Sequence, residues 1–280
     1  MEKRVNEIIT RALREDHSDK DITTNILTHP DQSSEAYILT REDTIVSGLE
    51  IVRKIFRKLD PRMHFTPFHK DGDRAVKNSK VIGLSGKTRA LLTGERVALN
   101  FLSYLSGIAT ITHRFVQHVD PYTVKIMDTR KTLPGLRGLV KMAVRAGGGV
   151  NHRFNLKEMV IIKDNHQIAY KKDRTIGEAI RHVRRQTNKM IMVEVDTIAQ
   201  FRQAVEAEPD VILLDNMTPQ QMRKIVAMNK KRTKPCLLEA SGGINLRNIR
   251  SIAKTGVDRI SIGALTHSPR AIDFSMEFKS

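Results

Sequence analysis

The apolar positions change rhythm about a third of the way along the chain. Near the start, Val5, Ile8, Ile9, Ala12 and Leu13 recur at helical spacing and predict an amphipathic helix. Short extended segments follow at 35–40, 44–47, 64–69 and 80–84, punctuated by Asp60-Pro61 and Asp71-Gly72-Asp73. Residues 49–59 have helical spacing, so this region reads as a small antiparallel sheet with helices on it. From Thr93 the pattern turns helical, with Val97, Leu99, Phe101, Leu102, Leu105 and Ile108 on one face. Gly107 is expected to break that helix, and a second one to run to about Val119, where Asp120-Pro121 ends it.

Beyond this point short apolar runs recur at 124–127, 159–162, 190–195, 211–214, 236–238 and 259–262. Each is followed by polar or glycine residues and then a helix-like segment. Strand-then-helix alternation indicates βαβ units on a parallel sheet, and six in succession favour a barrel over a short open sheet. The expectation is an α/β chain: an N-terminal α/β sandwich domain over 1–108, and a β/α-barrel domain, an incomplete TIM-like barrel, over 109–266. Residues 267–280 are expected to return to the first domain.

The ends of the expected strands carry reactive side chains or glycines. They read Asp128-Thr129-Arg130-Lys131, Lys163-Asp164-Asn165-His166, Glu194-Val195-Asp196, Asp215-Asn216, Glu239-Ala240-Ser241-Gly242-Gly243 and Gly263-Ala264. In β/α barrels the carboxyl ends of the strands hold the active site. Helix capping accounts for some of this, since Asp215 or Thr218 suits the N-cap of a helix starting near Pro219, but not for all six. The segments around Gly242-Gly243 and Gly263 each read as strand, turn and helix start. Glycine lets backbone N–H groups approach an anion there, as at the phosphate sites of the last strands of many barrels. Gly83 to Thr88 ends like a P-loop but has two residues between its glycines instead of four. Gly147-Gly148-Gly149 follows a helix and is expected to end it through positive-φ positions.

Arg130, Lys131, His152, Arg153 and Lys163 form a cationic set, and a charge next to Val160, Ile161 and Ile162 is costly unless paired. Glu194 and Asp215 are carboxylates suited to sugar hydroxyls or to Mg²⁺ held through water. No Cys/His spacing suggests zinc. His166 and His267 are isolated by spacing and read as structural.

Composition sharpens the choice of ligand. The 280 residues carry 48 Lys and Arg against 31 Asp and Glu, a net charge of +17. Such an excess suits nucleic acid or a small polyanion in a basic pocket. Aromatics are only 5 % and Trp is absent, which weakens the first without removing it. The basic runs 230–234 and Arg181, Arg184 and Arg185 read as solvated faces. No apolar run approaches the ~18 residues of a membrane span. The start lacks a secretory apolar stretch, and the single Cys236 cannot form an internal disulfide. A soluble, cytoplasmic protein is expected.

Taken in order, the motifs resemble the quinolinate phosphoribosyltransferase family, also called carboxylating nicotinate-nucleotide pyrophosphorylases, over essentially the whole chain. The resemblance is carried by Gly94-Glu95-Arg96 to Leu102, Asp128-Thr129-Arg130-Lys131-Thr132, Pro134 to Arg137, and Gly147 to Arg153. It continues through Ile162 to His166, Val193 to Asp196, Leu213 to Met217, Leu238 to Ile244 and Gly263 to Ser268. Ser18 and Lys20 stand where the family usually has glycines, and Leu133 where a small or polar residue is common. The resemblance implies a type II phosphoribosyltransferase: quinolinate and phosphoribosyl pyrophosphate would give nicotinate mononucleotide, pyrophosphate and CO₂, with Mg²⁺ as cofactor. It implies that Arg130, Lys131, His152, Arg153 and Lys163 line the basic pocket, and that Glu194 and Asp215 meet ribose and the Mg²⁺–pyrophosphate. Ser241, Gly242, Gly243 and Gly263 would hold phosphate, with Thr129, Ile262, Ala264 and His267 beside the substrates. Lys131, Lys163, Glu194 and Asp215 are the implied catalytic set. Arg96 would reach a neighbouring subunit's site, making a homodimer necessary, with a higher oligomer of dimers open. Neither nucleic acid nor membrane is an implied partner. A related transferase on another aromatic acid, as in molybdenum-transport-associated homologues, is disfavoured by the intact Lys163-Asp164-Asn165-His166.

Overall fold

The computed structural model describes residues 2–170 and 175–279. The strands are β1 (Ser33–Thr40), β2 (Thr44–Ile45), β3 (His64–Pro67), β4 (Arg74–Ala75), β5 (Lys80–Lys87), β6 (Lys125–Met127), β7 (Val160–Ile162), β8 (Ile191–Val195), β9 (Val211–Asp215), β10 (Leu237–Ser241), β11 (Arg259–Ser261) and β12 (Phe274–Phe278). The helices are α1 (Glu2–Glu15), α2 (Ile22–Leu27), α3 (Leu49–Leu59), α4 (Thr88–His118), α5 (Arg137–Ala146), α6 (Asp164–Tyr170), α7 (Ile176–Gln186), α8 (Ile198–Val205), α9 (Pro219–Lys230), α10 (Ile249–Ala253) and α11 (Ala264–His267). The chain divides into two compact units. One comprises the residues up to His113, Thr132–Gly148 and those from His267 on; the other comprises Arg114–Lys131 and Gly149–Thr266.

In the first unit an antiparallel sheet runs in the order β12-β1-β5-β3. Helices supply the other half of its core: Ile9 from α1, Ile55 and Phe56 from α3, and Leu91, Leu99 and Leu102 from α4 are buried with Ile38 and Ile82 of the sheet. Each such side chain contributes about 1.5–3 kcal/mol by leaving water. The expected helix break at Gly107 does not occur; α4 is one helix of 31 residues. The glycine serves close approach instead. A Cβ there would lie 2.1 Å from the backbone oxygen of Arg270, so only glycine admits the returning C-terminal segment against the helix. Of the triple glycine that follows α5, Gly148 takes a positive φ while Gly147 keeps φ −77°. The segment Gly83 to Thr88 is antiparallel strand running into α4, with no phosphate-loop geometry. Ser18 and Lys20 lie in a short 3₁₀ turn, Ser18–Lys20, preceded by His17 in the left-handed conformation.

The second unit is built on six parallel strands in the order β6-β11-β10-β9-β8-β7. This is the expected β/α-barrel arrangement, short of the eight strands of a complete barrel. Val150 adds a parallel bridge to Met127 at the β6 edge. Alternation sets two faces. Met192, Val211 and Leu213 pack with Met159 and Ile161 on one side. The intervening Val193, Val195, Ile212 and Leu214 are also fully or almost fully buried, as are Ile180, Phe201 and Ile225 of the covering helices. Helices α7, α8 and α9 start with capping boxes, Thr175 with Glu178, Thr197 with Gln200 and Thr218 with Gln221, each worth roughly 1 kcal/mol. Thr218, not Asp215, therefore caps α9.

The basic runs are solvated faces held by ion pairs. Arg184 meets Asp210 at 2.7 Å, Arg232 meets Glu206 at 2.7 Å, and Lys234 meets Glu208 at 3.6 Å. Among the described residues no helix is long and apolar enough to cross a membrane.

Candidate active site

The second unit gathers most of the chemistry marked out by the sequence at the carboxyl ends of its strands. Register fixes the levels. Glu194 pairs with Leu213, and Leu213 with Glu239, so these three lie in one layer; Asp215 pairs with Ser241 one layer further on. Glu194 is thus the penultimate residue of β8, below the level of Asp215.

Just past β7, Lys163 places its Nζ 3.0 Å from Glu194 Oε2. Its side chain is 48 % exposed, so the charge beside Val160–Ile162 is both paired and hydrated. His166 has a local structural role, its Nδ1 accepting the N–H of Lys163 at 3.1 Å. At the end of β9, Asn216 takes a positive φ and donates Nδ2 to Asp215 Oδ2 at 2.7 Å. Across from it, Gly242 also has positive φ, and a Cβ there would fall 2.2 Å from Asn216 Oδ1. Glycine is required at 242 by this packing as well as by its backbone.

The turn after β10 does not lead straight into a helix, as its sequence suggests; α10 begins only at Ile249. The backbone oxygen of Gly243 accepts from Asn245 and Asn248 side chains instead, at 3.3 and 3.0 Å. Gly243 is exposed, with open space where a Cβ would be. After β11, Ile262 donates its N–H to Met127 O, and Gly263 O accepts from Thr266. Ala264 then starts α11. Thr266 Oγ1 lies 3.3 Å from Thr129 Oγ1, which in turn accepts the N–H of Lys131 at 3.1 Å. Lys131 is exposed.

The cations at the other edge are arranged differently. Asp128 is fully buried, and its Oδ1 accepts the N–H of His152 at 2.9 Å. Arg153 donates Nη1 to Met159 O at 2.8 Å. Burial, and then the neighbouring positive charge of Arg130, hold the Arg153 pKa below the ordinary guanidinium value. The Nε atoms of both Arg130 and Arg153 are buried without an acceptor in the protein. The two guanidinium groups are thus close enough for their charges to oppose each other, and each keeps a buried Nε donor free of protein acceptors.

Arg96 and His267 belong to the first unit. Arg96 is exposed on α4 and borders a recess of about 260 Å³ with Phe101, Tyr104, Leu133 and Leu136. His267 is exposed, its Nδ1 2.6 Å from Ser268 Oγ. Sequence reasoning passed over Asn216 as a partner of Asp215 and Gly242. It also took Glu239 for a strand-end residue. Period-two alternation through Leu237–Ser241 marks Glu239 as facing the same way as Ser241, and β10 runs past it.

Two family models together span nearly all of this architecture. The quinolinate phosphoribosyl transferase N-terminal domain matches residues 21–106, and the C-terminal domain of the same name matches residues 108–277. The chain belongs to the quinolinate phosphoribosyl transferase family. Within that family, the probable nicotinate-nucleotide pyrophosphorylase [carboxylating] of Bacillus subtilis (strain 168) is 41 % identical over 275 residues, covering 98 % of this chain and 93 % of that protein. Among solved structures, nicotinate-nucleotide pyrophosphorylase from Francisella tularensis superposes with a TM-score of 0.92 at 35 % identity, over 100 % of this chain and 97 % of that one. The enzyme of the same name from Ehrlichia chaffeensis gives 0.90 at 40 % identity, over 98 % of each chain.

No group of three or more His, Cys, Asp or Glu that would hold a metal ion occurs among the described residues. The carboxylates of Glu194 and Asp215, on adjacent strands, fit the other way of binding Mg²⁺, through one or two carboxylates together with substrate phosphates and water.

Proposed function

We propose that this chain is a quinolinate phosphoribosyltransferase, joining quinolinate to the ribose of phosphoribosyl pyrophosphate and releasing pyrophosphate and CO₂ to form nicotinate mononucleotide for NAD synthesis. The observation that carries the site assignment is the Arg130–Arg153 pair, whose buried Nε donors have no protein acceptor. A 2,3-dicarboxylate supplies two adjacent anionic groups to that pair, with Lys131, Lys163 and His152 around it. Holding both polyanions in one basic site supplies in advance much of the entropy of bringing them together.

The pyridine nitrogen attacks C1 of the ribose as the C1–oxygen pair leaves with pyrophosphate. Glu194 and Asp215 stabilise the positive charge that develops on the ring. The backbone N–H groups at Gly242, Gly243 and Gly263, with Ser241, hold phosphate. Glu194 and Asp215 would hold Mg²⁺ through water, and the ion would supply positive charge to offset that of the pyrophosphate. The new pyridinium nitrogen then draws the electron pair left at C2 when CO₂ departs, and a solvent proton fills C2. A pocket poor in water favours that loss of charge.

The same reading makes Arg96 a contribution to the site of a second copy in a homodimer; its exposure beside an apolar recess supports this. The same reading expects a cytoplasmic enzyme. Incubation with quinolinate, phosphoribosyl pyrophosphate and Mg²⁺ should yield nicotinate mononucleotide and CO₂ in equal amounts, and folded protein yielding neither would defeat the proposal. Nicotinate lacks one carboxylate and leaves buried cations unpaired, so its kcat/KM should be lower by ~10⁴.

A further inference from the structure

Glu239 occupies the middle of β10 with no solvent exposure. In its layer, Leu213 is its neighbour on β9. An ionised carboxylate in such a place is expensive unless it is paired. Neither of its oxygens has a hydrogen-bond partner of good geometry. Arg259 is its register neighbour on β11, and among the described residues the chargeable group within ion-pair distance is His152, whose Nε2 lies 3.3 Å from Glu239 Oε1.

The other ring nitrogen defines the proton. Nδ1 of His152 accepts the backbone N–H of Arg153 at 2.8 Å, so it carries no hydrogen. The ring proton therefore sits on Nε2, the ring nitrogen next to Glu239. His152 is also tied at its own N–H to Asp128 Oδ1 at 2.9 Å. The ring thus stands between the buried carboxylate and the peptide that carries the Arg153 guanidinium.

We propose that Glu239 is a positioning residue for quinolinate: its buried carboxylate, 3.3 Å from Nε2, holds the ring angle of His152, and the ring, through the bond from Arg153 N–H to Nδ1, sets the Arg153 peptide and its guanidinium beside Arg130. This rests on the reading above that Arg130 and Arg153 bind the dicarboxylate. The need is steric and angular. A bidentate clamp tolerates little displacement, and an error of about 1 Å in such a group costs of order 100-fold.

The test compares three variants of the full chain. Glu239→Leu removes the carboxylate and leaves the His152 ring without its neighbour, a change that lowers stability, so its fold is checked first by a thermal melt. Its KM for quinolinate should rise ~10–100-fold, with KM for phosphoribosyl pyrophosphate within about twofold of wild type. Glu239→Gln keeps an oxygen to accept the Nε2–H, so its quinolinate KM should stay within about threefold of wild type. Arg153→Met is the control for the binding site. The backbone amide ¹H–¹⁵N shift of Arg153, which reports its bond to His152 Nδ1, should match wild type in Glu239→Gln and move in Glu239→Leu.

If Arg153→Met raises the quinolinate KM and Glu239→Leu does not, the positioning role is wrong and the binding site stands. If Arg153→Met leaves that KM unchanged, the dicarboxylate reading itself fails. An unchanged Arg153 amide shift in Glu239→Leu overturns the proposal whatever the kinetics, as does a Gln variant as impaired as the Leu variant. Should Glu239→Leu not fold, Glu239→Met takes its place with the same expected and overturning results.

Discussion

Replacing Arg153 by Met should separate activity from stability. The guanidinium is half-buried beside Arg130, and its own charge is disfavoured there, first by burial and then by that neighbour. Removing it takes away a bidentate partner for substrate, and charge-assisted hydrogen bonds are worth about 1.5–3 kcal/mol each. Two that are not fully additive amount to about 3–4 kcal/mol in the transition state, so kcat/KM for quinolinate should fall ~10²–10³-fold. The folded protein experiences opposing effects. Met159 O loses the Nη1 donor 2.8 Å away, which costs about 1 kcal/mol, while a buried like-charge contact disappears. The net change should stay within about 1 kcal/mol, a Tm shift of no more than ~4 °C in a chain of this size. Steady-state kinetics and a thermal melt measure the two numbers. Quinolinate should also raise the melting temperature of wild type, and much less that of the variant. Activity within threefold of wild type, or a fall in Tm beyond ~8 °C, would refute the reasoning.

Gly107→Ala should destabilise by more than ~2 kcal/mol in urea unfolding. A Cβ would meet Arg270 O at 2.1 Å, although Ala in an unobstructed helix gains about 1 kcal/mol over Gly. Asp60 is buried, with Oδ1 accepting from Arg62 N–H and Oδ2 from Lys87 N–H, both at 3.0 Å; the backbone hydrogen bond from Lys87 leads in holding its pKa below the ordinary carboxylate value. Its stabilisation is complete above the unfolded-state pKa near 4 and fades as pH falls through the lower native value. Asp60→Asn sets an amide NH₂ against one of those N–H donors, so it should cost about 1–3 kcal/mol at pH 7 and flatten the loss of stability between neutral pH and pH 3. Burial pushes the Cys236 thiol from about 9 up to about 11, so at pH 8 native protein should react with iodoacetamide ~100-fold more slowly than protein in denaturant. Equal rates in both states would contradict that burial.

Each of the six apolar runs beyond residue 123 became a strand within a few residues of its expected limits, because a short β-branched stretch bounded by turn residues has few alternatives. The recurrence of cations at strand ends was also legible and pointed toward an anionic ligand, without choosing between nucleic acid and a small polyanion. Gly107 was misread for a physical reason. A glycine inside a helical pattern looks like a break, and the chain 163 residues later that needs the missing Cβ leaves no local trace. The length of β10 was misjudged because Glu239 is polar, and polarity usually marks a strand's end.

The sequence by itself determined the secondary elements, the parallel order implied by strand–helix alternation, and the residue types available for chemistry, because periodicity and turn chemistry are local. Tertiary structure alone decided which charges neutralise one another and which stay unpaired. Lys163 is paired with Glu194, and the basic runs at 181–185 and 230–234 contain arginines and a lysine paired with acidic neighbours. Arg130 and Arg153 instead keep buried donors without protein acceptors. That division depends on distances across strands far apart in the chain. Coulomb energy and desolvation are set by those distances and by burial, and neither is written in the order of the residues.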